Sequence, residues 1–400
     1  MAVQTSVNIL AINPGSSSLK FGLYAFDEAG KNRCHPEPPK DAKRQRTVEG
    51  PPAEVPEEVE GPPAHAITTG SMDVAANEMR QGVQDVLARI SGTDIHAIGC
   101  RVVHGGAEFS APTIVDDNVL AKIARLAELA PLHNPIAVTA INAARAALPD
   151  VPIVAVFDTA FHRTLPAVAW HYAVPGDLNI RRFGFHGISY AWVSSRLTAH
   201  IGTNKRVIIC HLGNGASVCA LANGVSIDTS MGLTPTEGLV MGTRSGDIDP
   251  GAILYLLRCG KSTAEIDDIL NHKSGLAGVS GGTSDMKTIV EAATNGDARA
   301  TLALDLFCYR VSKYIGAYAA ALGGLDCLAF TAGIGEHSPI VRERICNNLA
   351  FLGIKIDESL NRATRSDQRP IGAACVPVFV IPTNEELQIA QETHRLVDFV

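Results

Sequence analysis

Several short strings in this chain set polar side chains beside glycine at the ends of apolar runs, an arrangement that brings backbone N–H groups and cations to a phosphate. The first is Asn13-Pro14-Gly15-Ser16-Ser17-Ser18-Leu19-Lys20, between the apolar runs 7–12 and 21–26. It reads as a hairpin turn carrying an amide, three hydroxyls and an ammonium, and it does not follow the G-x-x-x-x-G-K-[ST] phosphate-loop pattern. Arg101 closes a second apolar run, in Arg101-Val102-Val103-His104-Gly105-Gly106. His186 lies in Phe183-Gly184-Phe185-His186-Gly187, and Arg244 in Met241-Gly242-Thr243-Arg244-Ser245-Gly246-Asp247-Ile248-Asp249. Singly, each has a plain structural explanation: a solvated Ser-rich turn, an arginine capping a strand, a hydrogen-bonded core histidine. Together they repeat one pattern, which structural arginines rarely do. Phosphoryl transfer needs a metal bridging phosphate oxygens, cations where charge develops, and in-line positioning; this set offers candidates for each.

The elements that must hold these groups follow from hydrophobic spacing. The spacing predicts strands over 95–103, 151–157, 207–211, 216–221, 224–228, 326–331 and 376–381, with the opening hairpin before them. It predicts helices over 73–90, 116–129, 135–147, 187–199, 250–259, 263–271 and 298–322, another from Pro339, and a last one starting at Thr383 with a Thr383–Glu386 capping box. Each half thus opens with a hairpin and continues as alternating strands and helices. Asn13 sits in the first hairpin turn of one half and His211-Leu212-Gly213-Asn214-Gly215 in that of the other. The expected fold is α/β with an internal duplication and a cleft in which two Gly-rich turns clamp a polyphosphate.

Composition bounds the answer. Four hundred residues favour two domains. With 46% apolar and 19% charged residues, the chain reads as a packed globule. A formal charge of -7 gives no basic footprint, so nucleic acid is excluded as a main partner. No membrane-length apolar run or leader pattern occurs, and the nine scattered cysteines contain no C-x-x-C, so a reduced cytoplasmic protein without membrane partner is expected. The Pro-, Lys- and Glu-rich segment 31–66 reads as a mobile surface excursion.

Asn13 to Lys20, Arg101 to Gly106, Ala130-Pro131-Leu132-His133-Asn134-Pro135, Phe157-Asp158-Thr159-Ala160-Phe161-His162 and Phe183 to Gly187 resemble motifs of the acetate kinase family. So do His211 to Gly215, Met241 to Pro250, Thr331-Ala332-Gly333-Ile334-Gly335-Glu336 and Pro382-Thr383-Asn384-Glu385-Glu386, in order over nearly the whole chain. The resemblance implies two duplicated ribonuclease-H-like domains of the acetate and sugar kinase, chaperone ATPase and actin superfamily with an interdomain cleft. The expected domains are 1–158, completed by a C-terminal helix 385–400, and 159–384, which carries nucleotide-binding loops and a dimer interface. It also implies reversible transfer of the ATP γ-phosphoryl group to acetate, giving ADP and acetyl phosphate. The cofactor would be Mg²⁺, with Mn²⁺ able to substitute, and the assembly a homodimer. A propionate or other short-chain acyl kinase is the alternative.

Carried over by motif, Asp158, His186, Arg244 and Arg101 are the catalytic candidates, with Arg101 also the carboxylate-binding group. Val103, Leu132, Phe185 and Pro235 match an apolar substrate pocket, in which Val103 favours acetate over propionate. Lys20, His211, Leu212, Gly213, Asn214, Gly215, Asp285, Met286, Lys287, Gly333, Ile334, Gly335, Glu336 and His337 match nucleotide-binding segments, and Asn13 and Glu385 the metal side. A carboxylate nucleophile, with a pKa of about 4, is already ionised at neutral pH and needs no general base. Asp158 is therefore expected to hold Arg244 or a metal-bound water and to abstract no proton. The chain departs from the family at Ile188 and Tyr190, where threonine and histidine are usual, which touches the surroundings of His186. A non-catalytic nucleotide switch of the actin or chaperone type would lack this cationic set.

Overall fold

The computed structural model of the protein describes residues 6–15, 17–27, 64–363 and 367–397. The first sheet contains β1 (Ser6–Pro14), β2 (Ser18–Asp27), β3 (Ala64–Asp73), β4 (Ala97–Val102), β5 (Thr113–Ile114) and β6 (Ile153–Phe157). The second contains β7 (Arg206–Leu212), β8 (Ala216–Ala222), β9 (Val225–Thr229), β10 (Cys327–Thr331), β11 (Arg369–Pro370) and β12 (Val378–Val380). Their orders are β3-β2-β1-β4-β6-β5 and β9-β8-β7-β10-β12-β11, so the two sheets repeat one plan. In each, a three-strand antiparallel meander is extended by two parallel strands.

Both faces of each sheet are covered, which is why the inner strands are unbroken apolar runs. Every residue of β6 and of β10 is buried. On the first sheet, Leu10 and Ile12 face the helices Met79–Arg89 and Asn134–Ala147, while Ile9 and Ala11 face Ile389 and Ala390 of the helix Glu385–Leu396. On the second, Ile208 and Cys210 pack on the helix Ala298–Ala321 and Ile209 on the helix Gly187–Ile201. This alternation is the period of two expected of a pleated strand.

Several expectations need correction. Asp73 ends β3; the predicted helix over 73–90 begins only at Met79, after a single 3₁₀ turn at Ala76–Glu78. β3 itself went unread, because Ala64–Asp73 is a polar edge strand on which no residue is buried. Most of the 31–66 excursion lies outside the described residues, and Ala64 to Ala66 are strand. The Thr383–Glu386 capping box is absent: Asn384 caps the last helix by accepting from Leu387 N at 3.1 Å, which leaves the Glu386 carboxylate for Asn13. Gly333 to His337 is not a loop but most of a short helix, Ala332–His337.

Candidate active site

β4 and β6 are parallel neighbours, with Val102 opposite Phe157 and Asp158 N donating to Val102 O at 3.1 Å. That register sets Arg101 beside Asp158. The guanidinium meets the carboxylate side-on, Nε at 3.1 Å from Oδ1 and Nη2 at 2.6 Å from Oδ2, while Nη1 donates to Asn13 Oδ1 at 3.0 Å. Asp158 therefore holds Arg101. The expectation that it holds Arg244 fails because Arg244 comes from a loop of the other half and reaches Pro235 O and His133 Nε2, each at 3.4 Å. Three of the five N–H groups of Arg101 are used in this way, leaving two for a further carboxylate.

Asn13, the last residue but one of β1, donates from Nδ2 to Glu385 Oε2 at 2.9 Å and Glu386 Oε1 at 2.8 Å, both in the first turn of the last helix. Glu385 Oε2 also lies 3.8 Å from Arg101 Nη1. Burial would raise the Glu385 carboxyl, but Arg101, His211, the Asn13 bond and Lys20 outweigh it and hold the group below its ordinary range. Burial pushes Asp158 upward against the pull of Arg101.

From the second half comes a pair of stacked imidazoles, His186 and His211, with centroids 4.0 Å apart. Their Nδ1 atoms lie 2.8 Å from Ser217 Oγ and Ser189 Oγ respectively. His186 sits at φ 58, a left-handed conformation costing a non-glycine residue on the order of 1 kcal/mol or more. It precedes a glycine whose Cβ would lie 2.0 Å from Asp158 O, so Gly187 is required for the helix to start against β6. Burial, then the charges of His211, Arg101 and Arg244, drive the His186 pKa well below its ordinary value. Burial lowers His211 to about 4, with Glu385 opposing and Arg101 and Lys20 adding to the shift. The first hairpin and the second thus act on one space.

The turn at Gly213 to Gly215 is tied to the Arg244 loop by Gly242 N donating to Asn214 O at 2.8 Å. Gly242 allows this approach, since a Cβ there would meet Asn214 Oδ1 at 1.7 Å. The point a Cβ would occupy on Gly215 lies 3.4 Å from His186 Nε2 and 3.7 Å from Arg244 Nη1. Three segments distant in sequence converge there.

Other expected residues divide. Val103 and Phe185 are buried in one cluster and Pro235 accepts from Arg244, whereas Leu132 is 41% exposed. Ala332 approaches Gly213, and Glu336 Oε1 accepts from Thr383 N at 3.0 Å, so the 333–337 segment joins the cleft. Asp285 instead caps its own helix, Met286–Thr294, through Thr288 N, and Met286 is core. No hydrogen bond among the described residues links either to the histidine pair or to Arg101.

Four residues escaped the sequence reading. His133 touches Arg244, and burial with the charges of Arg244 and Arg101 lowers it to about 3. Glu386, expected in a capping box, accepts from Asn13 instead. Ser217 sits in a strand whose alternation marks only burial. Fully buried Arg342 donates to Gly335 O and Glu336 O at 2.8 and 2.9 Å, fixing the end of the Ala332–His337 helix; burial lowers it to about 10. Only His133 and Glu386 carry a sequence signal, each as part of a quoted motif.

The donor chemistry fits a small divalent cation held mainly by its ligand. Glu385 Oε1 and Glu386 Oε2 receive no hydrogen bond among the described residues, while no three His, Cys, Asp or Glu side chains among them form a cage. One or two carboxylates plus phosphate oxygens is the set Mg²⁺ prefers. Among the described residues no helix is long and apolar enough to cross a membrane.

Comparison with known proteins agrees with this layout. The family model described as the acetokinase family matches residues 8–391. The chain is 50% identical over 313 residues to a protein named acetate kinase from Heliobacterium modesticaldum, covering 76% of this chain and 79% of that one. It is 45% identical over 407 residues to the acetate kinase of Agathobacter rectalis, covering 98% and 100%. The crystal structure of Porphyromonas gingivalis acetate kinase superposes with a TM-score of 0.80 at 36% identity, covering 98% of this chain and 100% of that one. A propionate kinase from Francisella tularensis does so with a TM-score of 0.80 at 37% identity over the same shares. A duplicated sheet plan, a cleft where both halves contribute cations, and a match along almost its whole length lead to one conclusion: the chain belongs to the acetokinase family.

Proposed function

We propose that this chain is an acetate kinase, transferring the γ-phosphoryl group of ATP reversibly to acetate to give acetyl phosphate and ADP. The observation that carries this reading is the convergence of His186 Nε2 and Arg244 Nη1 beside Gly215, opposite an Arg101 with donors to spare. The two free N–H groups of Arg101 would take the substrate carboxylate, with Asp158 and Asn13 fixing the guanidinium. A carboxylate oxygen attacks phosphorus, the bond to the ADP oxygen breaks, and no proton has to move. His186 and Arg244 face the charge that builds on the transferred group. Lys20, the Gly213 to Gly215 turn and the 333–337 helix would hold the nucleotide.

Glu385 and Glu386, with Asn13 beside them, would hold Mg²⁺ or Mn²⁺, which when bound neutralises the phosphate oxygens. Glu385→Gln is expected to raise the Mg²⁺ concentration for half-maximal rate by roughly 10–100-fold, more than it changes the KM for acetate. Titration of initial rate against Mg²⁺ at saturating ATP and acetate checks this, and an unshifted Mg²⁺ curve would remove Glu385 from the metal side.

Acetyl phosphate formation from ATP over a C2 to C4 acid series tests the function itself. The expected order is acetate, then propionate, then butyrate, because Val103 and Phe185 close the pocket. One methylene is worth about 1–3 kcal/mol, so propionate should remain a substrate. A higher kcat/KM for propionate would make the chain a propionate kinase, and ATP turnover indifferent to added acid would make it a nucleotide switch.

We also propose two domains, 1–158 with the last helix and 159–384, and a cytoplasmic location, which the free, mostly buried described cysteines favour. A homodimer is supported by the helix Pro250–Arg258, which buries none of its residues and exposes Leu254 and Tyr255.

A further inference from the structure

The two stacked histidines are built alike, and the hydrogen-bond count around His186 fixes more than its orientation. Its Nδ1 lies 2.8 Å from Ser217 Oγ, and the same oxygen lies 2.5 Å from the Tyr190 hydroxyl. Ser217 and Tyr190 are both fully buried. Tyr190 follows His186 by four residues in the helix Gly187–Ile201, and Ser217 lies on β8, so two elements hold this chain of groups. Neither hydroxyl has another partner among the described residues.

Two hydroxyl protons and one imidazole proton must be shared among these three groups. If His186 donated from Nδ1 to Ser217, either the serine or the tyrosine proton would be left buried without an acceptor. That costs about 1–3 kcal/mol. Only one arrangement gives both buried hydroxyl protons an acceptor: Tyr190 donates to Ser217, Ser217 donates to Nδ1, and the imidazole proton sits on Nε2. Nε2 is the atom aimed at Gly215 and Arg244.

We infer that Tyr190 and Ser217 are positioning residues that lock His186 as the Nε2–H tautomer, so that a neutral imidazole presents an N–H donor to the transferring phosphoryl group. The catalytic consequence rests on the function proposed above. A neutral donor suits a site already crowded with Arg101 and Arg244, since it binds developing negative charge without a third full cation. Burial of His186 among those arginines is consistent with a neutral ring. His211 repeats the construction, with Ser189 Oγ at 2.8 Å from Nδ1 and Thr383 Oγ1 at 3.0 Å from that serine. Thr383 is only half-buried, so solvent can satisfy its proton and the same count leaves the His211 tautomer open.

The test is ¹⁵N NMR of histidine-labelled protein, with the His186 signals assigned by their loss in His186→Gln, together with steady-state kinetics. In the wild type the proton is expected on Nε2, with Nδ1 a hydrogen-bonded acceptor. Ser217→Ala should shift the Nδ1 signal toward an unbonded imidazole nitrogen and lower kcat on the order of tenfold. That is less than the roughly 10²–10³-fold of losing a donor outright, and KM values for ATP and acetate should hardly move. Tyr190→Phe should shift Nδ1 and kcat in the same directions by less, because it weakens Ser217 as a donor without removing it. A proton on Nδ1 in the wild type overturns the inference, as does a fall in kcat with the Nδ1 signal unmoved. Failure of the wild type to phosphorylate any short carboxylate would instead sink the proposed function, and the tautomer would still be read from the spectrum.

Discussion

Arg244→Ala lowers kcat by about 10³-fold or more, the loss typical of removing a transition-state arginine, and leaves Tm close to the wild-type value. The two halves of this prediction have one cause. Arg244 has no carboxylate within ion-pair distance among the described residues, and its two hydrogen bonds are long, at 3.4 Å. Burial pulls its pKa down, the mark of a cation held without a counterion. Such a group contributes little to folding and is available to a polyanion. Its removal therefore costs transition-state binding and almost no native-state energy. Arg244→Lys keeps the charge but not the fork, and should recover part of the loss. Kinetics with a parallel thermal melt decide the matter. A kcat within tenfold of wild type would take Arg244 out of the reaction, and a large drop in Tm would make it a structural residue.

Arg101→Ala behaves differently, losing activity and stability together. The guanidinium is the counterion of Asp158, whose side chain is 1% exposed, and it also lies near Glu385. Removing one partner of a buried pair costs about 3–5 kcal/mol, because the other charge stays buried. The sign of the pH dependence follows. Burial already pushes Asp158 up, and without Arg101 it rises further. Its folded pKa then exceeds the unfolded one by still more, so the native state holds a proton that the unfolded chain has released. The variant should keep its stability below the ordinary carboxylate range and lose it as pH rises toward neutrality. Denaturant melts at several pH values read this directly. Adding Asp158→Asn should flatten the profile and return part of the stability, without returning activity. A variant whose stability instead rises with pH would show that Asp158 is not left as an uncompensated acid.

What could be read from residue types was the set of groups that carry charge, because glycine beside arginine or histidine at a strand end is a local signal. Arg101, His186 and Arg244 were all legible in that way. What could not be read was pairing. Asp158 meets Arg101 through the parallel register of β4 and β6, a fact of sheet order that no local spacing encodes. Glu386 looked like a cap because Thr383 stands three residues before it; Asn384 capped the helix instead. β3 was invisible because an edge strand with no buried residue lacks the apolar alternation that marks strands. Ser217 is one small residue in a buried strand, and its importance depends on a tyrosine from another element.

The last helix, Glu385–Leu396, completes the sheet that begins at Ser6. Val7, Ile9, Ala11 and Phe26 share one cluster with Ile389 and Ala390, residues translated long after the strands they cover. A ribosome making this chain exposes that apolar face long before its cover is made, since hundreds of residues separate the two. Domains usually fold as they emerge, N-terminal first; here the first half cannot close by itself. Loss of the helix Glu385–Leu396 would therefore leave that apolar face of the first sheet uncovered, a sticky sheet instead of a smaller working protein.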